Sequence, residues 1–485
     1  VDYLSRAITV ADGAFGGAVY NWVKTRQRMR NNAAFSADVY RLEALVRELS
    51  DRGKDFSIAE IEARREELAA QRQQMRDKYP EHYADLKSDY SIDLRQIQRA
   101  RAADSSAVIG FYGNAQIMYR LFVSADTIDL TILDDVKDRV RTLSEQLPEL
   151  RDNAADPAPF HAALREIYGH LFSGIDGLLP ERLHIIANDY LEQIPYSALR
   201  QDREGEAPRY LGVEKTLSRQ FSLRSMELLQ DIQLPDVQAQ PLALAPVFEN
   251  ELLEASALRQ AGFQLPPLLY NAEEVTTLQS IGPGRFYLAN RATLRNFLRH
   301  ADRHSIIHLA THAISSEVDG LASRVYLLDD AGQPVSLYAA DIGNQTLNAD
   351  LVTLSACETG AGSQHVVEGT VGLTKAFIAA GARGVVASNW AVDDRATAEL
   401  METFYRAIDA GQSPPAALRT ARRTYLARHP EAHPSRWAAF ESYGGRGIPR
   451  WEDAYPWWQS PWAYAALALF ALLGAFWGVK KIRHA

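Results

Sequence analysis

The sequence predicts an α/β protein, a mostly parallel sheet flanked by helices, with a helical arm before it and one C-terminal transmembrane helix after it. Three observations carry this. Apolar residues recur at helical spacing through residues 1–104, and from Ala107 the period shortens to that of strands. After residue 240, short apolar runs alternate with helical segments, as strands do when they are buried beneath helices. Finally, residues 462–479 form a run of 18 without a charge.

Composition sets the limits. Of 485 residues, 47% are apolar and 23% charged, ordinary for a globular protein with cores large enough to need no staples. The net charge of −9, with no basic stripe interleaved with aromatics, argues against a nucleic-acid binder. A single cysteine, Cys357, excludes an internal disulfide and a thiolate zinc site. That thiol is therefore either an inert core residue or a reactive one, and its neighbourhood must decide.

The elements follow in order. Val39, Leu42, Leu45, Val46 and Leu49 share one face of a helix over 38–50. A second helix runs from Ser57, which with Glu60 makes a capping box, to Lys78 before Pro80. These make residues 1–104 a helical arm, read as the possible end of a helical repeat array that could hold a protein partner. Residues 108–112, 117–123 and 128–132 form an antiparallel meander, followed by helices at 135–147 and 158–172 and a strand at 183–187. The meander and its helices occupy residues 105–240. Strands are then expected at 241–245, 285–288, 305–309, 325–328, 351–355 and 384–388. Helices are expected at 272–280, 293–301, 369–380, 394–410 and 414–429, all within a catalytic part spanning 241–447.

In such sheets function gathers at the carboxyl ends of strands. Just past two of those ends stand His312, in Ala310-Thr311-His312-Ala313, and Cys357, in Ala356-Cys357-Glu358-Thr359-Gly360. Neighbouring parallel strands would set imidazole beside thiol, and cysteine attack needs a base or an ion pair to supply the thiolate. The small residues around Cys357 leave room for a peptide carbonyl. The amides of its turn, with that of Ala313, would offer oxyanion donors. His precedes Cys by 45 residues, the order and approximate gap seen in caspases.

These two segments, Ile306-Ile307-His308-Leu309-Ala310-Thr311-His312-Ala313 and Leu354-Ser355-Ala356-Cys357-Glu358-Thr359-Gly360, resemble the signature segments of the CHAT domain, a clan of caspase-like peptidases related to separase. The likeness continues through Glu368 to Phe377, Ala380 to Arg383, Asn389 to Asp394 and Trp437 to Phe440, and covers roughly residues 160–445. It implies a caspase–hemoglobinase fold, a Cys–His dyad, hydrolysis of peptide bonds in a protein or peptide substrate, and no cofactor. The family's domain commonly follows tetratricopeptide repeats, which would lie upstream of Val1. One departure concerns specificity: relatives that cut after basic residues often carry an acid two positions before the Cys, where this chain has Ser355. Glu358, Asp393 and Asp394 are left as pocket candidates.

Other features have plainer readings. Asp393 and Asp394 precede a helix and suit its N-cap. His308 lies within its strand and reads as a core or supporting histidine; His365 sits in a Gly/Ser/Gln loop. His308 and His312 are four apart on a strand, and the segment lacks a zincin glutamate, so no metal is expected. Two rival functions stay open: a catalytically silent scaffold that recruits a partner, and an acyl transferase using the same dyad.

After a linker over 448–461, the run at 462–479 would reach about 27 Å as a helix, close to the roughly 30 Å of a bilayer core. Trp457, Trp458 and Trp462 stand at one end of it and Trp477 near the other, and Lys480, Lys481 and Arg483 follow. It is expected to span a membrane, with the tail cytoplasmic and the catalytic part on the other side.

Overall fold

A computed structural model describes residues 58–82, 84, 92–113, 116–152, 156–231, 237–248, 268–314, 323–358, 366–390, 392–445 and 447–451, with scattered positions between 8 and 41. The expected helix over 38–50 and His365 lie outside these.

Helix α1 (Ile58–Lys78) buries Met75 against Met29, Phe35, Val39 and Tyr79, and α2 (Leu94–Asp104) is tied down at both ends. Asp93 caps its N-terminus by accepting from Arg95 and Gln96, and Leu94 and Ile97 are buried. The meander follows as β1 (Ser106–Gly113), β2 (Met118–Val123) and β3 (Ile128–Ile132), paired antiparallel in that order. Next come α3 (Lys137–Asp152), α4 (Ala158–Phe172), β4 (Arg182–Ala187), β5 (Thr216–Gln220) and α5 (Leu223–Asp231). The second half runs β6 (Gln238–Ala245), α6 (Asn271–Ile281), β7 (Arg285–Leu288), α7 (Leu294–His300), β8 (His304–Ile314), β9 (Arg324–Leu328) and β10 (Pro334–Tyr338). It closes with β11 (Leu351–Glu358), α8 (Val366–Ala380), β12 (Gly384–Ser388), α9 (Asp394–Asp409), α10 (Pro414–Arg428) and β13 (Phe440–Gly444).

Among the described residues, thirteen strands join one sheet, in the order β10-β9-β8-β11-β12-β13-β5-β4-β1-β2-β3, with β6 also beside β8 and β7 beside β6. Within it are two parallel blocks. Strands β6, β8, β11 and β12 run one way; β13, β5, β4 and β1 run the other, because β12 and β13 pair antiparallel. The carboxyl ends of β8, β11 and β12 therefore share one edge of the sheet.

Every residue of β8 is buried, as expected of a strand with layers on both faces. Ile306 and Ala310 join a cluster with Leu400 and Phe404 of α9, whereas Ile307 and Leu309 join one with Leu373 and Phe377 of α8. Burying a side chain of this kind contributes about 1.5–3 kcal/mol.

Two expectations need correction. The first is the transmembrane helix. Among the described residues no helix is long and apolar enough to cross a membrane, and residues 462–479 lie outside them. Helix α1 has the length, 21 residues, but is laced with Glu, Arg and Lys. The single-pass anchor, and the side of a membrane assigned from it, are withdrawn. The second concerns strand ends: β8 continues to Ile314 and β11 to Glu358. His312 and Cys357 thus lie inside strands, not in the turns after them.

Candidate active site

Strands β8 and β11 pair in parallel from Leu351↔Ile306 to Glu358↔Ala313, and this register sets Cys357 directly opposite His312. Adjacent strands lie about 4.8 Å apart, so the two backbones are immediate neighbours. The ladder extends this far because both edges of β8 are occupied. β11 lines one edge; β6 takes the first part of the other, and β9 takes its end through Ala313↔Val325 and Ile314↔Arg324. The hydroxyl of Thr311 donates to the carbonyl of Tyr326 on β9 and so absorbs a polar group that read as a loop signal.

The His312 side chain is fully buried. The Phe248 ring lies against it, with centroids 5.4 Å apart and planes inclined by 42°. Phe248 packs in turn with Ile314, Tyr326 and Leu328. The base candidate is therefore roofed by an apolar cluster.

Four residues back on β8, His308 Nδ1 is 2.9 Å from the Tyr405 hydroxyl of α9, and its Nε2 is 3.4 Å from Glu274 Oε2 of α6. Burial raises the Tyr405 phenol above its ordinary range. Asn271 Nδ2 donates to the carbonyls of Pro246, at 2.8 Å, and Ala310, at 3.3 Å, which ties the start of α6 to β8 between the two histidines. Glu274, Asn271, Tyr405 and Phe248 were not singled out from the sequence. Glu274 sits in the first turn of a helix, where acids are usual and exposed; only the packing of α6 on the sheet buries it.

The other candidates separate in space and role. Ala313 is buried in the ladder, between Val325 and Glu358. Glu358 is the last residue of β11. Asp393 caps α9, accepting from Ala396 N at 3.0 Å. Asp394 accepts from Leu269 N at 3.0 Å, and burial, with Asp393 adding to it, raises its carboxyl. Both aspartates follow β12 and so stand on the edge to which β11 also runs. Among the described residues no three His, Cys, Asp or Glu side chains converge to hold a metal ion.

The family model that matches this chain is that of the CHAT domain, over residues 161–445. Tetratricopeptide repeat protein 28 of Homo sapiens is 24% identical over 347 residues, 62% of this chain and 14% of that protein. The Mus musculus protein of the same name is 34% identical over 108 residues, 22% of this chain and 4% of its own length. The chain thus spans a small part of these relatives. Among solved structures, the Arg specific cysteine proteinase gingipain R is similar at a TM-score of 0.39 and 10% identity, covering 65% of this chain and 75% of that one. The Saccharomyces cerevisiae separase–securin complex gives 0.36 and 13%, covering 84% and 27%.

Proposed function

The chain belongs to the CHAT domain family, and on that premise we propose that it is a thiol-dependent endopeptidase acting through Cys357 and His312. The observation that carries this reading is the register that sets the two residues opposite each other on parallel strands. In the proposed reaction the Cys357 sulfur attacks the scissile carbonyl while His312 takes its proton. His312 returns that proton to the leaving amine, and the acyl–enzyme is released by water.

The oxyanion would be held by backbone amides at the end of β11. Ala313 is the weaker donor, since it is paired with a strand on each side and its single N–H faces one of them. Glu358, Asp393 and Asp394 stay as pocket candidates. Asp393 has the least freedom, because its carboxylate is spent on the helix cap. Substrate reaches the dyad once the Phe248 ring moves off His312.

Labelling by an electrophilic peptide, followed by mass spectrometry, tests the proposal. Adduct on Cys357 that disappears in His312→Ala supports it. An intact, folded chain that neither labels nor cleaves any member of a peptide library would leave the scaffold reading instead.

A further inference from the structure

Strands covered on both faces usually present apolar side chains to both. β4 and β5 depart from this. Arg182↔Thr216 and His184↔Ser218 are paired across them, and His184 and Ser218 are only 3% and 2% exposed. His184 Nδ1 lies 2.6 Å from Ser218 Oγ, which also accepts from Gln220 Nε2 at 3.1 Å. Burying such groups costs desolvation, which a purely structural strand face avoids by using apolar residues.

His184, Thr216 and Ser218 line a cavity of about 680 Å³, within the usual size range of small-molecule sites. Ala100 of α2, Leu229 of α5 and Pro415 of α10 give it apolar walls, and Arg182 and Arg383 also line it. Asp104 lines it as well, one carboxylate against two guanidiniums, so the charge of the lining leans positive. Arg383 Nη1 is held by Asp350 at 2.9 Å, but Asp350 is gripped by a second guanidinium, Arg450, at 2.8 Å. Arg182 donates to the backbone carbonyl of Asp104, a neutral acceptor that leaves its charge in place.

We propose that this cavity binds a small organic anion with an apolar body. Its acid group is set toward Arg182 and Arg383, its body lies against Ala100, Leu229 and Pro415, and a hydrogen-bonding group meets the His184–Ser218 pair. β12 and β13 separate the site from β11, so it is a second site, independent of the peptidase reading.

Two fluorescent probes with the same rings test this on the full chain: 1-anilinonaphthalene-8-sulfonate and N-phenyl-1-naphthylamine, which lacks the sulfonate. One saturable site is expected, with the sulfonate bound at least tenfold more tightly than the amine. Ala100→Trp, which fills the cavity, should weaken both at least tenfold. Arg182→Gln should bring the sulfonate down to the level of the amine and leave the amine unchanged. A sulfonate bound no more tightly than the amine, or both bound undiminished by folded Ala100→Trp, overturns the proposal. If Ala100→Trp does not fold, as circular dichroism would show, the response of the exposed Arg182→Gln decides alone.

Discussion

At the residue scale, two histidines on one strand carry opposite duties. His312 is proposed to move a proton, so His312→Ala should lower peptide turnover by about a hundred to ten thousand fold, and Cys357→Ala should abolish it with little change in melting temperature. His308 is instead held by Tyr405 and Glu274 within the core. His308→Ala would leave the Tyr405 hydroxyl buried without that partner, a loss of about 1–3 kcal/mol in urea unfolding. Tyr405→Phe, which deletes one hydroxyl, should cost about 1–3 kcal/mol. Similar losses of activity from His308→Ala and His312→Ala, with folding intact, would overturn this division. A third histidine sets a pH limit. Burial, with Arg200 nearby, lowers His161 from 6.5 to about 4. The unfolded chain takes up a proton there that the folded chain refuses. Stability from this residue is therefore present above about pH 6.5 and is lost as the pH falls toward 4. The urea midpoint should drop across that window, and by less in His161→Gln.

At the element scale, local pattern was legible wherever apolar runs were bounded by turn residues. β7 and β12 have the bounds read from the sequence, and α9 and α10 end within one residue of theirs. Strand ends beside the candidate site were not legible. Thr311 and His312 look like loop residues until β9 supplies a carbonyl for the threonine and β11 pairs with the backbone. His312 and Cys357 could be singled out as candidates from type and order, but their direct opposition is a property of register, which the sequence does not state. β5 and β13 escaped notice for a related reason: Thr216-Leu217-Ser218-Arg219-Gln220 and Phe440-Glu441-Ser442-Tyr443-Gly444 are too polar to read as central strands. Each supplies half of a buried ion pair, Arg219 Nη1 to Glu441 Oε2 at 2.8 Å; burial opposes the charge, but Glu441 with Tyr443, Tyr196 and Glu192 together outweighs it, so that the Arg219 pKa stands above its ordinary value. The Arg219 guanidinium also lies 4.8 Å from the Tyr196 ring centroid. Glu441→Gln should cost about 3–5 kcal/mol by leaving that cation buried without its counter-charge. A loss under 1 kcal/mol in urea unfolding would show that the rings and carbonyls suffice.

At the scale of the whole molecule, the two parallel blocks meet at β13, which shares one register pair with β5, Tyr443↔Arg219, and five with β12. Gln220 Nε2 adds a bond to the carbonyl of Gly444 at 2.8 Å, and Arg219–Glu441 adds the ion pair. The relatives in Homo sapiens and Mus musculus are far longer than this chain. The position of β13 also fixes an order of events during synthesis. A strand from the far end of the domain stands in the middle of the sheet, so while the ribosome is still translating residues before Phe440, β5 and β12 each present a bare edge with nothing between them. The nascent chain must keep those two edges from pairing with other molecules until residues 440–444 emerge. A chain released after residue 438 should therefore accumulate as aggregate, and supplying residues 439–451 as a separate peptide during refolding should recover soluble protein. Soluble, cooperatively melting material from the shortened chain alone would show that the blocks close without their keystone.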